Sequence, residues 1–395
     1  MLCLSDKQKE YWKCAGRRWN IKQGATRSGK TYLDYYIIPR RIRACKGQGL
    51  ILLLGNTKGT LTRNILDPMR SIWGDGLVGN IGSDNTVRLF GHKCYALGAD
   101  KVTQVSKLQG AGIEYCYGDE VTTWNEDVFS MLKSRLSCEN SCFDGTCNPD
   151  SPSHWFKAFL DSDADIFQQS YTIYDNPFLP KSFVENLECE YAGTVFYDRF
   201  ILGLWAIAEG LVYSIFDKQK HVTEEIPQAG RYYISIDYGT ANPFSAGLWC
   251  VNADRAVRVK EFYYDGRKQA KQCTDEEYYA HLEALAGDRL IDHIVVDPSA
   301  ASFIETVRRH GKYSVKKAVN DVLDGIRTTA SLINAGKVLI HSSCTDAIRE
   351  FGSYAWDDKA TEDKVIKEND HAMDEIRYFC YTVLRREYRW GSWVR

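Results

Sequence analysis

The sequence predicts an α/β protein of two domains, the first with a mainly parallel β-sheet and the second with a mixed sheet. Through the first half of the chain, short apolar runs alternate with helical stretches, which is typical of a parallel sheet covered by helices on both faces. In the second half, three strand-like runs follow one another before the alternation returns, and this order favours a mixed sheet. The length of 395 residues also exceeds what one hydrophobic core usually accommodates.

The strand-like segments of the first half end in turn residues or polar groups. The segment "RWNIKQG" leads into a glycine loop, and "GQGLILLLGNT" predicts a short buried strand. "VRLFGHKCYALGA" predicts two edge strands, "IEYCYGDE" an apolar strand that runs into two acids, and "SCFDGTCNP" a strand stopped by Asn-Pro. We expect residues 1–205 to form the first domain.

The composition of the chain changes across residues 206–230, which we expect to bridge the two domains and to end in a Pro/Gly break. Beyond this bridge, "RYYISIDYGT", "SAGLWCVN" and "AVRVKEFYYD" predict three strands joined by short turns. A helix over residues 275–285, a strand at "HIVVDPS" and a final helix over about residues 370–385 follow. Residues 231–395 are therefore the second predicted domain.

The composition, with 44% hydrophobic and 26% charged residues, is that of an ordinary globular protein. No run of about 18 uncharged apolar residues occurs, so we expect no membrane span, and "MLCLSDKQKE" is charged too early for a signal peptide. Thirteen cysteines are scattered singly, which favours reduced thiols in a cytosol-like compartment. The densest group, Cys138, Cys142 and Cys147, has no histidine pair nearby, which argues against a zinc site. The net charge of -2 means that any basic surface must be local.

The segment "GATRSGKT" completes the pattern of a phosphate-binding loop, G-x4-G-K-[ST], between a strand-like run and a helix. Its glycines let successive backbone N–H groups turn toward a phosphate, and the following helix offers its positive end. Lys30 is expected to reach the β- and γ-phosphates and Thr31 to bind Mg²⁺; the alternative is a glycine turn that caps an ordinary helix. The nucleotide-binding residues predicted from the loop are Gly24, Arg27, Ser28, Gly29, Lys30 and Thr31.

A nucleotide-hydrolysing site also needs an acid at the end of a buried strand for the metal shell and a second acid to polarise water. Asp119 and Glu120 supply both in "IEYCYGDEVTTW". Such a pair is also common at plain strand ends. Together with the loop, however, it predicts that the first domain hydrolyses a nucleotide, with Asp119 at the metal and Glu120 as the catalytic base.

Two residues close to the predicted loop have less specific interpretations. Arg27 lies within the loop, where it would contact the γ-phosphate, sense a neighbouring subunit, or be an ordinary solvated arginine. Gln8, near the N-terminus, is a candidate for a hydrogen bond to an adenine edge.

Three carboxylates of the second half stand where a metal site would need them. Asp237 and Asp297 each end an apolar strand, and Asp374 lies on the last helix, where Asp370 shares its face and His371 is close. Hard oxygen ligands suit Mg²⁺ or Mn²⁺, and a pair of such ions supports phosphodiester cleavage. Taken singly, each acid is better explained as a strand terminator or a helix-surface charge than as a metal ligand. Their order along the chain, first strand, later strand and final helix, is that of the ribonuclease H-like nuclease fold.

The combination resembles the large terminase subunit of tailed bacteriophages, and the resemblance covers nearly the whole chain. "GATRSGKT" resembles its Walker A loop and "YCYGDE" its Walker B strand. "GTCNPDSPSHWF" resembles its coupling motif, in which Asn148 is the expected γ-phosphate or water sensor. "ISIDYGT", "IVVDPSA" and "NDHAMDEIRY" resemble its three nuclease motifs. The loop differs from many members in having Ala25, Thr26 and Arg27 in place of a doubled glycine.

The resemblance implies an N-terminal P-loop ATPase domain of the RecA/ASCE-like type and a C-terminal ribonuclease H-like nuclease domain. ATP and Mg²⁺ would be the cofactors, and Mn²⁺ could replace Mg²⁺ in the nuclease. The enzyme would move double-stranded DNA into a procapsid in the host cytoplasm and cut concatemeric genomes. Its partners would be DNA, the portal protein, the small terminase subunit and further copies in a ring, with a monomer in isolation left open. Candidates for phosphate contacts to DNA are Arg63, Arg70, Lys316 and Lys317.

Two other interpretations are compatible with the sequence. A helicase–nuclease would keep both sites, although no run of helicase motifs follows Glu120. A non-catalytic assembly scaffold would carry the two sites as relics, and inability to hydrolyse ATP in the presence of DNA would favour it.

Overall fold

The structure, a computed structural model, describes residues 4–105, 110, 112–239, 242–269, 271–358, 360 and 362–387. The chain divides into two compact units. The first comprises the residues up to Val184 together with Tyr197–Ile207, and the second comprises Glu185–Phe196 together with the residues from Ala208 onward. Each unit contains one seven-stranded sheet.

The sheet of the first unit is parallel except at one edge. Its strands are β1 (Trp19–Gly24), β2 (Leu50–Gly55), β3 (Thr86–Leu89), β4 (His92–Gly98), β5 (Ile113–Gly118), β6 (Cys142–Cys147) and β7 (Ile166–Tyr171). They lie in the order β3-β4-β2-β5-β6-β1-β7, and every described pair is parallel except β3 with β4. The predicted mainly parallel sheet is confirmed. The prediction of two edge strands is wrong for β4, because β4 pairs with both β3 and β2.

Helices lie on both faces of this sheet. From the N-terminus they are α1 (Asp6–Cys14), α2 (Lys30–Ala44), α3 (Lys58–Leu61), α4 (Asp67–Trp73), α5 (Val102–Val105), α6 (Glu126–Arg135) and α7 (Trp155–Leu160). Two further helices, α8 (Lys181–Tyr191) and α9 (Val195–Tyr197), cross the division between the units. Shorter turns are π-helical at Thr62–Leu66 and Asp198–Leu202 and 3₁₀ at Val121–Thr123 and Ile173–Asp175.

Alternation along β2 produces two hydrophobic layers in the first unit. Leu52 and Leu54 belong to a buried cluster that includes Phe129 of α6. Leu53, between them, belongs to another cluster that includes Ile38 of α2. Successive residues of a strand point to opposite faces, so the sheet separates the two layers.

A fully buried ion pair joins β1 to α2. Nζ of Lys22 lies 2.7 Å from Oδ1 of Asp34, and neither side chain has exposed surface. The ammonium group also lies 4.0 Å from the centre of the Tyr11 ring. Burial raises the pKa of Asp34 to about 6, and the charge of Lys22 opposes that shift. The pair therefore connects the two elements that flank the glycine loop.

The sheet of the second unit is mixed, as the sequence predicts. Its strands are β8 (Val222–Thr223), β9 (Arg231–Asp237), β10 (Phe244–Val251), β11 (Ala256–Tyr264), β12 (Ile291–Val296), β13 (Val315–Lys317) and β14 (Val338–His341). They lie in the order β13-β12-β9-β10-β11-β14-β8. Strands β9, β10 and β11 form an antiparallel meander, and the other pairs are parallel. Strand β8 comes from the segment assigned above to the bridge.

The helices of the second unit include the predicted final helix, which is divided into two α-helices with a π-helical turn between them. They are α10 (Lys218–His221), α11 (Asp275–Ala286), α12 (Ala301–His310), α13 (Val322–Asn334), α14 (Thr345–Phe351), α15 (His371–Phe379) and α16 (Arg385–Glu387). Asp370 is the N-cap of α15, and a π-helical turn, Cys380–Leu384, joins α15 to α16. Among the described helices of the whole chain, none is long and apolar enough to cross a membrane.

Candidate functional site

The loop between β1 and α2 has a backbone that suits glycine at both ends. Gly24 has a φ of 132° and Gly29 a φ of 88°. A Cβ atom on Gly24 would lie 2.0 Å from the carbonyl oxygen of Tyr171, so no larger residue fits there. Gly29 is the N-cap of α2 and brings no side chain to cap the helix. The first amides of α2 therefore keep their capacity to bind an anion.

The side chain of Lys30 is buried and folds back over the loop. Its Nζ donates to the carbonyl oxygen of Gly24 at 2.7 Å and to Oδ1 of Asn148 at 3.1 Å. Burial lowers the pKa of Lys30 to about 8, and the nearby carboxyl groups of Glu120 and Asp119 oppose that shift. An ammonium group held by neutral oxygens would gain a stronger, charged partner in a phosphate.

The other predicted residues of the loop differ in exposure. Ser28 is buried and donates to the carbonyl oxygen of Ala25 at 2.8 Å, so its hydroxyl helps to shape the loop. Thr31 is partly exposed in the first turn of α2. Arg27 is exposed and has a left-handed backbone, with a φ of 56°. Its position at the surface of the loop is compatible with each of the three interpretations given above.

Asp119 and Glu120 follow β5 at the same edge of the sheet as the loop. Asp119 is buried, and its carboxylate accepts from Nδ2 of Asn64 at 3.2 Å and from Oγ1 of Thr146 at 3.3 Å. Burial raises the pKa of Asp119 to about 7, and the charge of Glu120 adds to the shift. Glu120 has a left-handed backbone with a φ of 51°. A strained backbone of this kind is more common at functional sites than elsewhere.

Strand β6 lies between β1 and β5 and connects the loop with the acids. Near its end, Thr146 contacts Asp119, and directly after it Asn148 contacts Lys30. Oγ1 of Thr122 donates to the carbonyl oxygen of Asn148 at 3.1 Å, which fixes the backbone there. The ends of parallel strands form the usual ligand-binding edge of such a sheet. The structure thus brings the predicted loop, acids and sensor residue to one edge.

Gln8 lies against the loop, but its amide is hydrogen-bonded to the protein. Its Nε2 donates to the carbonyl oxygen of Gly29 at 2.8 Å, and its Oε1 accepts from the backbone N–H of Ser5 at 2.9 Å. Ser5 and Gln8 form the capping box of α1, a start signal that the sequence contains. The role of Gln8 seen here is to connect α1 to the loop.

A cavity of about 400 Å³ lies beside the start of α1. Two of its aromatic side chains, Tyr174 and Phe178, are largely exposed. Between them in the sequence, Asn176 donates from Nδ2 to the carbonyl oxygen of Arg27 at 2.7 Å, so the cavity adjoins the loop. The cavity is lined by Leu4, Ser5, Asp6, Lys7, Tyr174, Asp175, Pro177 and Phe178.

In the second unit, Asp237 and Asp297 lie at the ends of neighbouring parallel strands. Strands β9 and β12 pair Ile236 with Val296, so the two aspartates follow paired residues. The backbone N–H of Asp297 donates to the carbonyl oxygen of Ile236 at 3.2 Å. Both carboxyl groups therefore leave the sheet at the same edge.

Helix α15 brings His371 to Asp237. Nδ1 of His371 lies 2.9 Å from Oδ2 of Asp237. Burial raises the pKa of Asp237 to about 6, although the hydrogen bond from His371 opposes the shift. The pKa of His371 is also raised, because the hydrogen bond and charge of Asp237 outweigh the opposite effect of burial. In this arrangement His371 is the hydrogen-bond partner of a strand-end acid.

The two other acids of this region bind cationic side chains. Asp374 accepts from Nη2 of Arg377 at 2.9 Å through Oδ1, and its Oδ2 lies 3.0 Å from Nζ of Lys367. Lys367 also lies 3.1 Å from Oδ2 of Asp370. Sequence reasoning identified neither cation, although the i,i+3 spacing of Asp374 and Arg377 is a signal for the arginine. We call Asp237, Asp297, Asp370 and Asp374 the acidic cluster.

Buried charges fix α15 against the meander of the second sheet. Glu375 and Arg258 have no exposed surface, and Nη2 of Arg258 lies 2.7 Å from Oε2 of Glu375. Ser235 and Trp249 donate to the other carboxylate oxygen. Ser235, Trp249 and Arg258 belong to β9, β10 and β11, so one glutamate is bound to all three strands of the meander.

The acidic cluster offers hard oxygen donors of the kind that Mg²⁺ and Mn²⁺ prefer. Across the described ranges, no group of three or more His, Cys, Asp or Glu side chains is spaced to hold a metal ion. The carboxylates of Asp237, Asp370 and Asp374 instead face His371, Lys367 and Arg377. Oδ1 of Asp297 accepts from the backbone N–H of Ser299. Buried carboxylates need a cationic partner of some kind, and the Lys367 ammonium is one. The cluster therefore fits a divalent cation in its chemistry, while its spacing in this structure is that of ion pairs.

A phosphate-binding loop with an acid at the same sheet edge, and a second mixed sheet with strand-end acids, together define a class: a P-loop nucleotide-hydrolysing domain joined to a ribonuclease H-like domain. A family model described as "Terminase large subunit, T4likevirus-type, N-terminal" matches residues 23–220. A second, described as "Terminase RNaseH-like domain", matches residues 234–381.

Solved and curated relatives agree with these matches. The large terminase of the thermophilic bacteriophage D6E is 35% identical, with a TM-score of 0.88 over 97% of this chain and 100% of that one. A structure of the same protein in complex with ATP-gamma-S has 36% identity, a TM-score of 0.85 and the same coverage. The terminase large subunit of Escherichia phage T5 is 23% identical over 258 residues, which are 59% of this chain and 56% of the T5 protein.

The chain belongs to the terminase large subunit family, and the resemblance noted in the sequence is confirmed. It is an enzyme of the large terminase type, with an ATPase domain and a ribonuclease H-like nuclease domain. Packaging of phage DNA is the function of this family.

Proposed function

We propose that this chain hydrolyses ATP at the loop after β1, uses the energy to move double-stranded DNA into a procapsid, and cuts DNA at the acidic cluster. The observation that carries the first part is the convergence of Lys30, Asn148 and Asp119 at one sheet edge. The D6E terminase, which matches this chain over its whole length, was solved with ADP and with ATP-gamma-S, and this supports ATP as the nucleotide.

The roles in the ATPase site follow from the contacts. Lys30 would exchange its loop carbonyls for phosphate oxygens, and the backbone amides after Gly24 and Gly29 would hold the β-phosphate. Thr31 and Asp119 would hold Mg²⁺, which neutralises phosphate charge when it is bound. Glu120 would orient the attacking water. Asn148 shares a hydrogen bond with Lys30, so it is placed to respond when Lys30 changes partner.

The cavity beside α1 is the proposed position of the adenine base. It adjoins the loop through Asn176, and the exposed rings of Tyr174 and Phe178 offer a surface on which a base can stack. Because the amide of Gln8 already bonds to Gly29 and Ser5, we propose that Gln8 contributes by holding the loop next to this cavity.

The acidic cluster is the proposed nuclease centre. Asp237, Asp297 and Asp374 would hold Mg²⁺ or Mn²⁺, which activates water and stabilises the leaving oxygen when bound. Asp370 and His371 lie beside these acids and are secondary candidates for metal ligands. Arg377 and His371 would keep the carboxylates oriented, because each is hydrogen-bonded to one of them.

DNA would be held through its phosphates, because packaging must tolerate every sequence. Of the predicted contacts, Arg63, Lys316 and Lys317 are exposed. Arg70 instead pairs with Asp67 at 2.6 Å and donates to the carbonyl oxygen of Gly79, so we withdraw it from the set. The portal protein, the small terminase subunit and a ring of copies in the host cytoplasm complete the proposal.

Two substitutions separate the activities. We expect Lys30→Ala to lower ATP hydrolysis to about 1% of wild type or less, as loss of a charge-stabilising donor does, and to leave Mn²⁺-dependent cutting of plasmid DNA intact. Asp374→Ala should abolish Mn²⁺-dependent cutting of plasmid DNA and leave ATP hydrolysis intact. Steady-state ATPase assays with DNA and gel assays of plasmid cutting measure both activities.

Loss of both activities in either folded variant would contradict the assignment of two separate sites. A wild-type protein that hydrolyses no ATP even with DNA present would favour the non-catalytic scaffold. Strand separation driven by ATP would favour the helicase–nuclease.

A further inference from the structure

Lys367 reaches the acidic cluster from solvent. Its side chain is 59% exposed, whereas the side chains of Asp370 and Asp374 are 6% and 11% exposed. The ammonium group thus covers two carboxylates that are otherwise enclosed by protein. A long aliphatic stem lets a lysine place its charge in this way and also withdraw it.

Arg377, the other cation on Asp374, is held differently. Its side chain is 1% exposed. It also donates to the carbonyl oxygen of Asp321 at 3.2 Å and to Oδ1 of Asn320 at 3.1 Å. These contacts would hold the guanidinium in place without Asp374. Of the two cations, Lys367 is therefore the one that can leave.

We propose that the Lys367 ammonium, which contacts both Asp370 and Asp374, occupies the place of the divalent cation on Asp374, so that metal binding requires its displacement. The inference rests on the proposed nuclease centre. Nζ of Lys367 lies 3.0 Å from Oδ2 of Asp374. A Mg²⁺ ion bound to the same oxygen would lie about 2.1 Å from it. The two cations would then be within about 5 Å of each other, where like charges repel strongly in a partly buried site.

The consequence is a competition that sets the affinity of the centre for metal. With Lys367 and Arg377 in place, the charges of the two carboxylates are balanced and the metal-free protein avoids an unpaired buried charge. A divalent ion must offset the loss of these contacts before it binds. Removal of the ammonium group should therefore strengthen metal binding, whereas removal of a metal ligand should weaken it.

The test is calorimetric titration of Mn²⁺ into the metal-free, full-length protein. Lys367→Met keeps most of the stem and removes the charge, and we expect it to bind Mn²⁺ at least about tenfold more tightly than wild type, a change of about 1.4 kcal/mol. Lys367→Arg keeps the charge and should stay close to wild type. Lys364→Met is the matched control, because Lys364 lies three residues away, is exposed and pairs only loosely with Glu362, at 3.7 Å. It should leave the affinity unchanged.

Thermal unfolding gives a second readout that is independent of DNA cutting. The metal-free Lys367→Met protein should unfold at a lower temperature than wild type, and Mn²⁺ should raise its unfolding temperature by more than it raises that of wild type. If this variant does not fold, Lys367→Gln takes its place in both measurements.

Three outcomes would overturn the proposal, and they have different meanings. If wild type binds Mn²⁺, Asp374→Asn does not, and Lys367→Met binds like wild type, the competition is wrong and the metal centre stands. If Lys367→Met binds Mn²⁺ more weakly, Lys367 supports the metal instead of competing with it. If wild type, Lys367→Met and Asp374→Asn all fail to bind Mn²⁺, the proposed metal centre fails, and the competition fails with it.

Discussion

At the scale of single residues, burial shifts the pKa values of charged groups toward 7 in both candidate sites. Burial lowers the pKa of Lys30 to about 8 and raises that of Asp119 to about 7. Near pH 7 the lysine is then mostly charged, whereas Asp119 keeps its proton to a higher pH than an ordinary aspartate does. Entry of a metal-bound nucleotide favours the charged form of both groups. Binding at the loop is therefore expected to be coupled to the release of a proton from Asp119.

The same reasoning gives a pH dependence for the second site. Burial raises the pKa of Asp237 from 3.8 to about 6, so below pH 6 this carboxyl carries a proton that must leave before a metal binds. We expect the apparent Mn²⁺ affinity to fall by about fivefold as the pH falls from about 6 to about 5, and to level off above about pH 7. Calorimetric titrations across this range measure the effect.

Two variants identify the group responsible for this pH dependence. Asp237→Asn should bind Mn²⁺ more weakly and with a shallower pH dependence. Asp237 raises the pKa of the neighbouring His371, which is therefore a second candidate. His371→Gln should retain the pH dependence of Mn²⁺ affinity if Asp237 is the group that causes it. An unchanged slope in Asp237→Asn would show that another group is titrating.

At the scale of secondary-structure elements, α15 serves both the acidic cluster and the core. His371 contacts the cluster and Asp374 belongs to it. Glu375, the residue after Asp374, is bound to three strands of the meander. A helix fixed to a sheet by one buried carboxylate has little freedom to slide. The position of Asp374 thus depends on its neighbour Glu375.

Removal of the arginine that pairs with Glu375 should strongly destabilise the protein. Arg258→Met leaves the charge of Glu375 buried without its arginine, and we expect it to lower the free energy of unfolding by about 3–5 kcal/mol. The double variant Arg258→Met with Glu375→Leu should recover part of that loss, because the charge of Glu375 is gone. Glu261, which lies 2.6 Å from Nη1 of Arg258, still loses its arginine in the double variant. Urea denaturation provides the measurement.

An exposed ion pair supplies the control for this prediction. Arg309 and Glu305 are paired at 3.2 Å, with side chains 77% and 54% exposed. Arg309→Met should change the free energy of unfolding by less than about 1 kcal/mol. Equal losses in the two arginine variants would mean that burial of the Arg258 pair is not what makes it important.

At the scale of the whole molecule, each compact unit has its own sheet, its own buried core and one candidate site. Ligands of the two sites should therefore stabilise different parts of the chain. We expect calorimetry to resolve two unfolding transitions. At a constant Mg²⁺ concentration, ATP-gamma-S should raise the free energy of unfolding of the first unit, and Mn²⁺ without nucleotide should raise that of the second unit. Each increase should be about 2.7 kcal/mol at a hundredfold excess over Kd.

Lys30→Ala is the control for this experiment, because it should abolish the response to ATP-gamma-S and keep the response to Mn²⁺. One transition that both ligands shift would contradict the prediction and would mean that the units unfold together.

Much of this architecture could be predicted, because it depends on patterns within short segments of the sequence. The apolar run of β2, the glycine loop and the acids at the ends of β5, β9 and β12 each lie within a few consecutive residues. Strand β7 has no such signal, since "IFQQSY" is polar in its middle and lies at the edge of the sheet. Asn64 and Thr146 contact Asp119 from 55 and 27 positions away in the chain. Contacts of that kind depend on packing between elements, and a local pattern does not contain them.

The Lys22–Asp34 pair has a consequence for how this sequence can evolve. A single substitution at either position would leave one charge without its partner inside the core, at a cost of about 3–5 kcal/mol, which is a large fraction of the stability of a typical domain. A simultaneous change to two apolar residues avoids that cost. Natural variants of this protein should therefore keep both charges or lose both. Residues 22 and 34 lie twelve positions apart, one before the phosphate-binding loop and one after it. We therefore expect substitutions at these two positions to occur together.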